Sequence, residues 1–352
     1  MRKVNFTEFT DTIGGEGFFV RFSCSLNNKT DNGERKGEDI MQIISGCTDF
    51  KLTEKSAVAI GKFDGIHIGH KVLLLHLMEQ KKQGLKSVVF TFYPSAASFF
   101  GKAGEAELTP LSEKRAYFEM LGVDILIEFP LNKDTAAIPA DMFIEEILVK
   151  KMNTAYIAAG TDLSFGAGGK GDGRLLYEMS RKLGYKVEII DKILFENREI
   201  SSSYVREAVE QGDMKTAALL LGRMYGIMGT VERGKRLGRK LGMPTLNIYP
   251  EKDKLLPPRG VYYSTVNCSG REYKAITNIG SRPTVNDTDA ISVETFLYEY
   301  EGDLYGEEIT VAFAEFKRAE KKFESVEALK AQMERDVAEG RAYHGLEDVT
   351  KG

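Results

Sequence analysis

The chain has 352 residues, 42% hydrophobic and 28% charged. That is too long for one ordinary core and too balanced for a fibrous or disordered protein, so two globular domains are expected. The net charge of −4 argues against a mainly electrostatic nucleic-acid binder, and no apolar run reaches the ~18 residues of a membrane span. Cys24, Cys47 and Cys268 form no CxxC pair and read as reduced thiols of a cytoplasmic protein.

Residues 1–40 differ from the rest of the chain. Arg2 and Lys3 lead into no apolar stretch, so no secretory signal is expected, and LNNKTDNGERKGED (26–39) has almost nothing to bury. These forty residues read as an extension, as loop or disorder, or as a misassigned start. Strands and helices then alternate from Ser56. SAVAI (56–60) is a strand, His70–Gln83 a helix stopped by Gly84, SVVFTFYP (87–94) a buried strand, and 112–122 a helix stopped by Gly122. VDILIEFP (123–130) is a strand, PADMFIEEILVKKM (139–152) a helix, TAYIAAG (154–160) a strand, 173–184 a helix and YKVEII (185–190) a strand. This alternation predicts a parallel sheet covered by helices, with ligands beyond the carboxyl ends of its strands.

Two short helices, 201–213 and 214–222, end that pattern. Beyond them lie YGIMGTVERG, GVYYSTVNC, REYKAITNIG, ISVETFLYEY and EEITVAFAEF, separated by turn residues; they predict a small antiparallel barrel. A last helix over about Ser325–Glu339 places Val326, Leu329, Met333 and Val337 on one face. The expected division is an extension at 1–40, an α/β domain at 41–211 and a barrel domain at 222–340.

The chain has only four histidines, and two of them flank Gly69 in AIGKFDGIHIGH (59–70). A strand delivers the chain to Gly61, and a helix starts near Gly69, where free N–H groups attract phosphate. Gly69 lets backbone approach closely, and His67 and His70 can donate hydrogen bonds to a phosphoryl group as charge develops. Two histidines capping a helix by chance is the plain alternative.

GKFDGIHIGH resembles the HxGH nucleotidyltransferase superfamily in the form used by bacterial FAD synthetases, whose bifunctional members carry a riboflavin kinase behind the synthetase. The resemblance implies a Rossmann-like first domain, His67 and His70 as catalytic residues, and Gly61, Phe63, Asp64, Gly65 and Gly69 at the nucleotide. GTDLSFGAGGKGD (160–172) resembles the family's G-x-D-F-x-F-G loop, which implies flavin contacts for Asp162 and Phe165. GAGGKG (166–171), with Asp191 downstream, also fits a dinucleotide fingerprint, but its glycines follow no strand directly. ISSSYVREA (200–208) resembles the family's I-S-S-T-x-I-R segment and implies Ser202, Ser203 and Arg206 at the ATP phosphates; an ordinary serine N-cap is the alternative. TFYPSAASFF (91–100) departs from the family's T-F-x-P-H-P, with Ser95 at the histidine and Ala96 at the second proline.

GTVERGKRLGRKLGMPTLNI (229–248) resembles the riboflavin kinase pattern. Gly234, Gly238 and Gly242 suit a loop over phosphates, and Thr245 and Asn247 alternate with Leu246 onto one face. The resemblance implies that Thr245 and Asn247 serve ATP and Mg²⁺, an ion that suits oxygen ligands. Read alone, PTLNI is a turn into a strand, and Lys235, Arg236, Arg239 and Lys240 are a solvated basic loop. In SVETFL, Glu294 projects from the face opposite Val293 and Thr295, and the family's catalytic glutamate sits in this context; an outward surface glutamate is the alternative. ITNIGSRPTV (276–285) and RAEKKF (318–323) also resemble the family, implying flavin contacts for Arg282 and Arg318.

The resemblance covers about residues 42–340 and implies phosphorylation of riboflavin to FMN, then adenylylation of FMN to FAD with release of pyrophosphate. The implied partners are riboflavin, FMN and ATP with Mg²⁺, and neither nucleic acid nor membrane; oligomeric state stays open. Ser95 leaves room for a kinase with an impaired synthetase, or for a flavin-sensing binding protein. Another HxGH adenylyltransferase, acting on pantetheine phosphate or a nicotinamide nucleotide, is the rival enzyme class.

Overall fold

The computed structural model describes residues 40–95, 99, 101, 106–234, 242–282 and 290–346. The chain divides into two compact units, the first ending at Ser202 and the second starting at Ser203.

The first unit is built on a six-stranded parallel sheet. Its strands are β1 (Gln42–Ser45), β2 (Ser56–Ile60), β3 (Lys86–Tyr93), β4 (Ile125–Pro130), β5 (Thr154–Gly160) and β6 (Lys186–Ile190), in the order β1-β4-β3-β2-β5-β6. Successive residues of a strand face opposite sides, so β2 feeds two cores. Val58 and Ile60 pack with Phe90, Phe129 and Phe143, while Ala57 and Ala59 pack with Phe63, Leu73 and Leu77. The helices are α1 (Ile68–Lys82), α2 (Leu111–Met120) and α3 (Gly173–Leu183). The segment expected as one α-helix over 139–152 is instead a short helical turn, Ala140–Met142, running into a π-helix, Phe143–Lys151. The edge strand β1 was not expected; its Ile43 is exposed, so the four residues carry little apolar pattern. A small hairpin, β7 (Leu194–Phe195) with β8 (Arg198–Glu199), follows the sheet.

The chain moves from β2 outward through β3 to β4, then crosses to β5 on the other side of β2. The β2/β5 border is therefore the topological switch point, the place beyond the carboxyl ends where open α/β sheets take their ligands. The loops after β2 and β5 carry two of the motifs assigned to the first domain, GKFDGIHIGH and GTDLSFGAGGKGD. The glycines of 166–171 do not open a helix after a strand. They form a turn in which Phe165 and Gly171 pair, and α3 starts later, capped by Asp172. That arrangement excludes the dinucleotide fingerprint.

The second unit begins with α4 (Ser202–Glu210, whose first residue belongs to the first unit) and α5 (Met214–Leu221). Its sheet contains β9 (Tyr225–Thr230), β10 (Leu246–Ile248), β11 (Gly260–Cys268), β12 (Arg271–Arg282), β13 (Ala290–Leu297) and β14 (Glu308–Ala319). The order is β10-β13-β12-β11-β14-β9, antiparallel throughout. The sheet curls until its edges meet, because the Glu232 N–H donates to the Asn247 carbonyl at 2.8 Å. Inside, hydroxyls form a buried ladder, Ser264 to Thr277 at 2.7 Å and Thr277 to Thr295 at 2.9 Å. These hydrogen bonds offset the cost of burying the hydroxyls.

The last helix, α6 (Val326–Tyr343), is capped by Ser325. Its buried positions are Gln332, Asp336 and Gly340, whereas Val326, expected on the apolar face, is 55% exposed. The buried polar pair answers charges on β14: the Arg318 guanidinium and the Lys317 ammonium both reach Asp336.

Candidate functional sites in the two units

After β2 the chain runs from Gly61, whose N–H donates to the Phe90 carbonyl at 3.1 Å, into a tight loop. Phe63 and Ile66 both hold positive φ, and both side chains are fully buried. Positive φ is unfavourable for such residues, so burial holds a strained backbone in place. Gly65 also has positive φ, at 79°. The loop is tied on two sides: Asp64 Oδ1 accepts the Thr109 N–H at 3.1 Å, and Ser202 Oγ donates to the Asp64 carbonyl at 2.8 Å. Ser202, the last residue of the first unit, is thus tied to the glycine loop, a contact that no local sequence pattern signals. Ser203 is exposed beside it, and Arg206, one turn on, lies on the Ser202 side of the helix.

His67 caps α1: its Nδ1 accepts the His70 N–H at 3.4 Å. The neutral His67 ring therefore carries its proton on Nε2, away from the helix. The His67 and His70 rings stack with centroids 3.8 Å apart and planes 18° from parallel. A Cβ at Gly69 would stand 3.2 Å from the His67 ring, so glycine permits the stack. His70 Nδ1 is buried and has no hydrogen-bond partner. Burial, the adjoining His67 and the Lys114 ammonium hold His70 well below the usual histidine range, so it is neutral at pH 7.

Two flavin assignments look different in place. Asp162 is exposed on its loop, with Lys192 Nζ 3.6 Å away. Phe165 is buried against Phe143, at 5.5 Å between centroids, and fills the space beside Gly171. Its ring holds the loop to the core and has no open face.

In the second unit, β10, β13, β12, β11 and β14 align one residue each in a row: Asn247, Glu294, Asn278, Val261 and Arg318. Directly opposed residues share a sheet face with Cβ atoms about 5 Å apart. Glu294 is exposed, while Val293 and Thr295 are buried on the other face. The row gathers Asn247 and Glu294, and adds Asn278, which sequence reasoning missed. Asn278 Nδ2 and Glu320 Oε1 both lie within 3 Å of where a Cβ on Gly280 would stand. The alternation of Asn278 and Gly280 against buried Thr277 and Ile279 was the available signal.

Beside this row a cleft of about 460 Å³ is lined by Gly234, Thr245 and Asn247 on one side and by the β13–β14 connection, Glu299–Tyr305, on the other. Gly242 holds a φ of 84° in the turn leading to Thr245. Gly238 lies outside the described residues, as do Lys235, Arg236, Arg239 and Lys240. Arg282 ends β12. Arg318 is held by Asp336, with Nε 3.1 Å from Oδ2, and Gln332 Nε2 donates to Oδ1 at 2.9 Å. Burial alone would push the Asp336 carboxyl up; the hydrogen bonds from Arg318 and Gln332 outweigh it and hold it below the usual range.

Comparison with known proteins addresses both units. A family model described as FAD synthetase matches residues 49–204, and one described as riboflavin kinase matches 221–344. A bifunctional riboflavin kinase/FMN adenylyltransferase of Haemophilus influenzae is 34% identical over 307 residues, covering 86% of this chain and 99% of that one. The protein of the same name from Escherichia coli K12 is 36% identical over 311 residues, covering 87% and 99%. The chain belongs to the bifunctional riboflavin kinase/FMN adenylyltransferase family.

The Bacillus subtilis member is 32% identical, covering 82% of this chain and 92% of its own. A crystal structure named for a macrolide-efflux protein of Streptococcus pneumoniae is also similar, with a TM-score of 0.74 and 28% identity, covering 86% of this chain and 99% of that one. Among the described residues of this chain, no helix is long and apolar enough to cross a membrane. With the family in hand, the synthetase half is the parallel-sheet unit and the kinase half the curled sheet. Gly234 is the sharpest constraint in the kinase half, since a Cβ there would stand 2.6 Å from three atoms of the Asn247 amide. Gly234→Ala is expected to displace that amide and slow riboflavin phosphorylation about 100-fold, the scale of an ångström's misplacement. Steady-state kinase assays, with adenylyl transfer from supplied FMN as the unaffected control, check this.

Proposed function

We propose that this chain carries out the two ATP-dependent steps of its family in two separate sites. The kinase half, 222–340, phosphorylates riboflavin to FMN, and the synthetase half, 41–211, adenylylates FMN to FAD. The single observation that carries the reading is the stacked His67/His70 pair on a strained glycine loop at the switch point of a parallel sheet, in a chain that also holds the Asn247–Glu294 row.

In the kinase half, Glu294 takes the proton from the primary hydroxyl of riboflavin as that oxygen attacks the γ-phosphorus of ATP. ADP leaves, and positioning supplies most of the remaining rate. Gly234 and Gly242 let backbone close on the phosphates. Thr245 and Asn247 offer neutral oxygens, and Asn247 Nδ2 lies 3.4 Å from the Thr245 carbonyl, which leaves Oδ1 for a ligand. That donor set, beside the cradle that only Gly234 leaves open, fits Mg²⁺. Bound there, Mg²⁺ neutralises phosphate charge. Arg318 and Asn278 border the flavin side, and Arg282 belongs to the same end of the sheet.

In the synthetase half, an FMN phosphate oxygen attacks the α-phosphorus of ATP, and pyrophosphate leaves. His67 and His70 donate hydrogen bonds to the phosphoryl oxygens as charge builds, while Gly61, Asp64, Gly65 and Gly69 shape the loop and Phe63 supports it from below. Ser202, Ser203 and Arg206 serve the outer phosphates, and Asp162 faces the flavin. No covalent enzyme intermediate is needed. The free thiols Cys47 and Cys268 suit a cytoplasmic location.

The test is a time course of flavins separated after mixing the chain with riboflavin, ATP and Mg²⁺. FMN followed by FAD is the expected order. FMN alone would mean that Ser95, in the family's histidine position, has cost the synthetase its activity, and neither product would overturn the reading.

A further inference from the structure

We propose that Asn278, Ser292 and Glu320, gathered around Gly280, form the subsite that binds the hydroxylated side chain of riboflavin and sets its primary hydroxyl against Glu294. The inference rests on the kinase reaction proposed above.

Strand register places these groups. Asn278 on β12 opposes Glu294 on β13, and Gly280 opposes Ser292. Residues two apart on a strand face the same way, so all four share the sheet face opposite the buried hydroxyl ladder. Glu320 follows the end of β14, where its N–H donates to the Arg259 carbonyl at 3.3 Å. From there its carboxylate reaches β12: Glu320 Oε1 and Asn278 Nδ2 stand 2.8 Å and 2.9 Å from where a Cβ on Gly280 would be. Gly280 does not hold a positive φ, so its backbone conformation does not demand glycine. What a side chain there would fill is the space between the carboxylate and the amide.

The polar groups around that space are unpaired. Ser292 is 5% exposed and Asn278 is half-buried, yet neither side chain has a hydrogen-bond partner among the described residues. The exposed Glu320 carboxylate has neither a hydrogen bond nor an ion pair among them. On the other face of the same two strands, the hydroxyls of Thr277 and Thr295 are hydrogen-bonded to each other. Buried polar side chains are normally paired, and leaving one unpaired is costly. An open hydroxyl and an open amide beside a spot kept clear of side chains therefore mark a place for a polar ligand.

The donor set selects the class of ligand. A carboxylate accepts hydrogen bonds, while a hydroxyl and an amide both donate and accept. Such a set matches a row of alcohols, each of which donates and accepts in turn. It does not match a phosphate, because the three residues carry no cation and the carboxylates of Glu294 and Glu320 repel an anion. The phosphates have their place on the other flank of Glu294, where Asn247 opposes it on β10 beside the cleft lined by Gly234 and Thr245. Glu294 thus stands between a phosphate side and a polyol side. Diagonal neighbours on a sheet face lie about 7–8 Å apart, so a polyol chain held at Gly280 reaches Glu294 with its terminal hydroxyl.

The test compares riboflavin with a flavin analogue carrying an ω-hydroxypentyl chain, which keeps the primary hydroxyl and lacks the secondary ones. Both are offered to the full chain as kinase substrates. The wild-type chain is expected to favour riboflavin by about 100-fold or more in kcat/KM, because the analogue leaves the subsite's polar groups unpaired. Asn278→Ala, Ser292→Ala and Glu320→Ala are each expected to shrink that ratio about tenfold, by slowing riboflavin more than the analogue. Gly280→Ala, which puts a methyl group between the amide and the carboxylate, is expected to shrink it as well. A residue that only supports the fold would slow both substrates alike. Glu294→Gln is expected to do the same, since it acts on the hydroxyl that both substrates share. Adenylyl transfer from supplied FMN and a thermal melt serve as controls for folded enzyme. An unchanged ratio in the Asn278 and Ser292 variants would overturn the subsite, and so would a wild-type ratio near one with riboflavin turned over normally. The wild-type comparison decides the matter if the strand variants do not fold. A wild-type chain that phosphorylates no riboflavin would overturn the kinase reading and the subsite with it.

Discussion

Glu294→Gln is expected to cut riboflavin phosphorylation by about 10²–10⁴-fold, some 3–5 kcal/mol of transition-state stabilisation, the usual yield of one positioned general base. The amide keeps the size of the side chain and cannot accept the hydroxyl proton. Because Glu294 lies in mid-strand, opposed by Asn247 and Asn278 and with buried Val293 and Thr295 on either side, its direction is fixed by sheet register. The loss should therefore fall on kcat, with KM for ATP and riboflavin little changed. Supplied FMN should still be converted to FAD at the wild-type rate, since that step uses the other unit. Initial rates on riboflavin and on FMN, measured separately, check both halves of the statement. A Glu294→Gln enzyme that phosphorylates riboflavin normally would remove Glu294 from the reaction.

Much of this arrangement was legible in the sequence. The alternation after Ser56 pointed to the parallel sheet because fully buried strands such as SAVAI leave a continuous apolar run, and α1 was marked by the glycine stop at Gly84. The histidine pair was legible because strand, glycine loop and helix start lie within twelve residues. What escaped depends on contacts between distant residues. The π-helix of Phe143–Lys151 differs from an α-helix only in hydrogen-bond register, which the apolar pattern does not encode. The last helix turned Gln332 and Asp336 inward because Arg318 and Lys317 lie opposite, and no spacing within the helix signals a charge on another element.

The same limit separates the two halves' sites. In the synthetase half the proposed groups His67 and His70 lie within one local motif. In the kinase half, Asn247, Glu294, Asn278 and Arg318 come from four different strands and meet only through strand register. One row of a closed sheet replaces a motif. Closure also matters here: the bond from Glu232 to Asn247 that joins the sheet's edges fixes one end of that row and brings Gly234 against the Asn247 amide.

His67→Ala and His70→Ala are each expected to slow adenylyl transfer by about 10²–10³-fold, the cost of removing one preorganised donor from developing phosphoryl charge. With riboflavin and ATP as the starting mixture, each variant should accumulate FMN and make little FAD. The two should differ in stability. His67 caps α1, so His67→Ala should also lower stability by about 1 kcal/mol. His70 takes up a proton less readily in the folded than in the unfolded chain, so its contribution is complete above about pH 6.5 and is lost as pH falls through its lower folded-state value. His70→Ala should accordingly flatten the acid side of the stability curve, whereas His67→Ala should lower the curve at neutral pH. Denaturant melts across about pH 5–7.5, read beside the flavin time course, separate the two histidines: one is a donor that also caps the helix, the other a donor kept neutral by its surroundings.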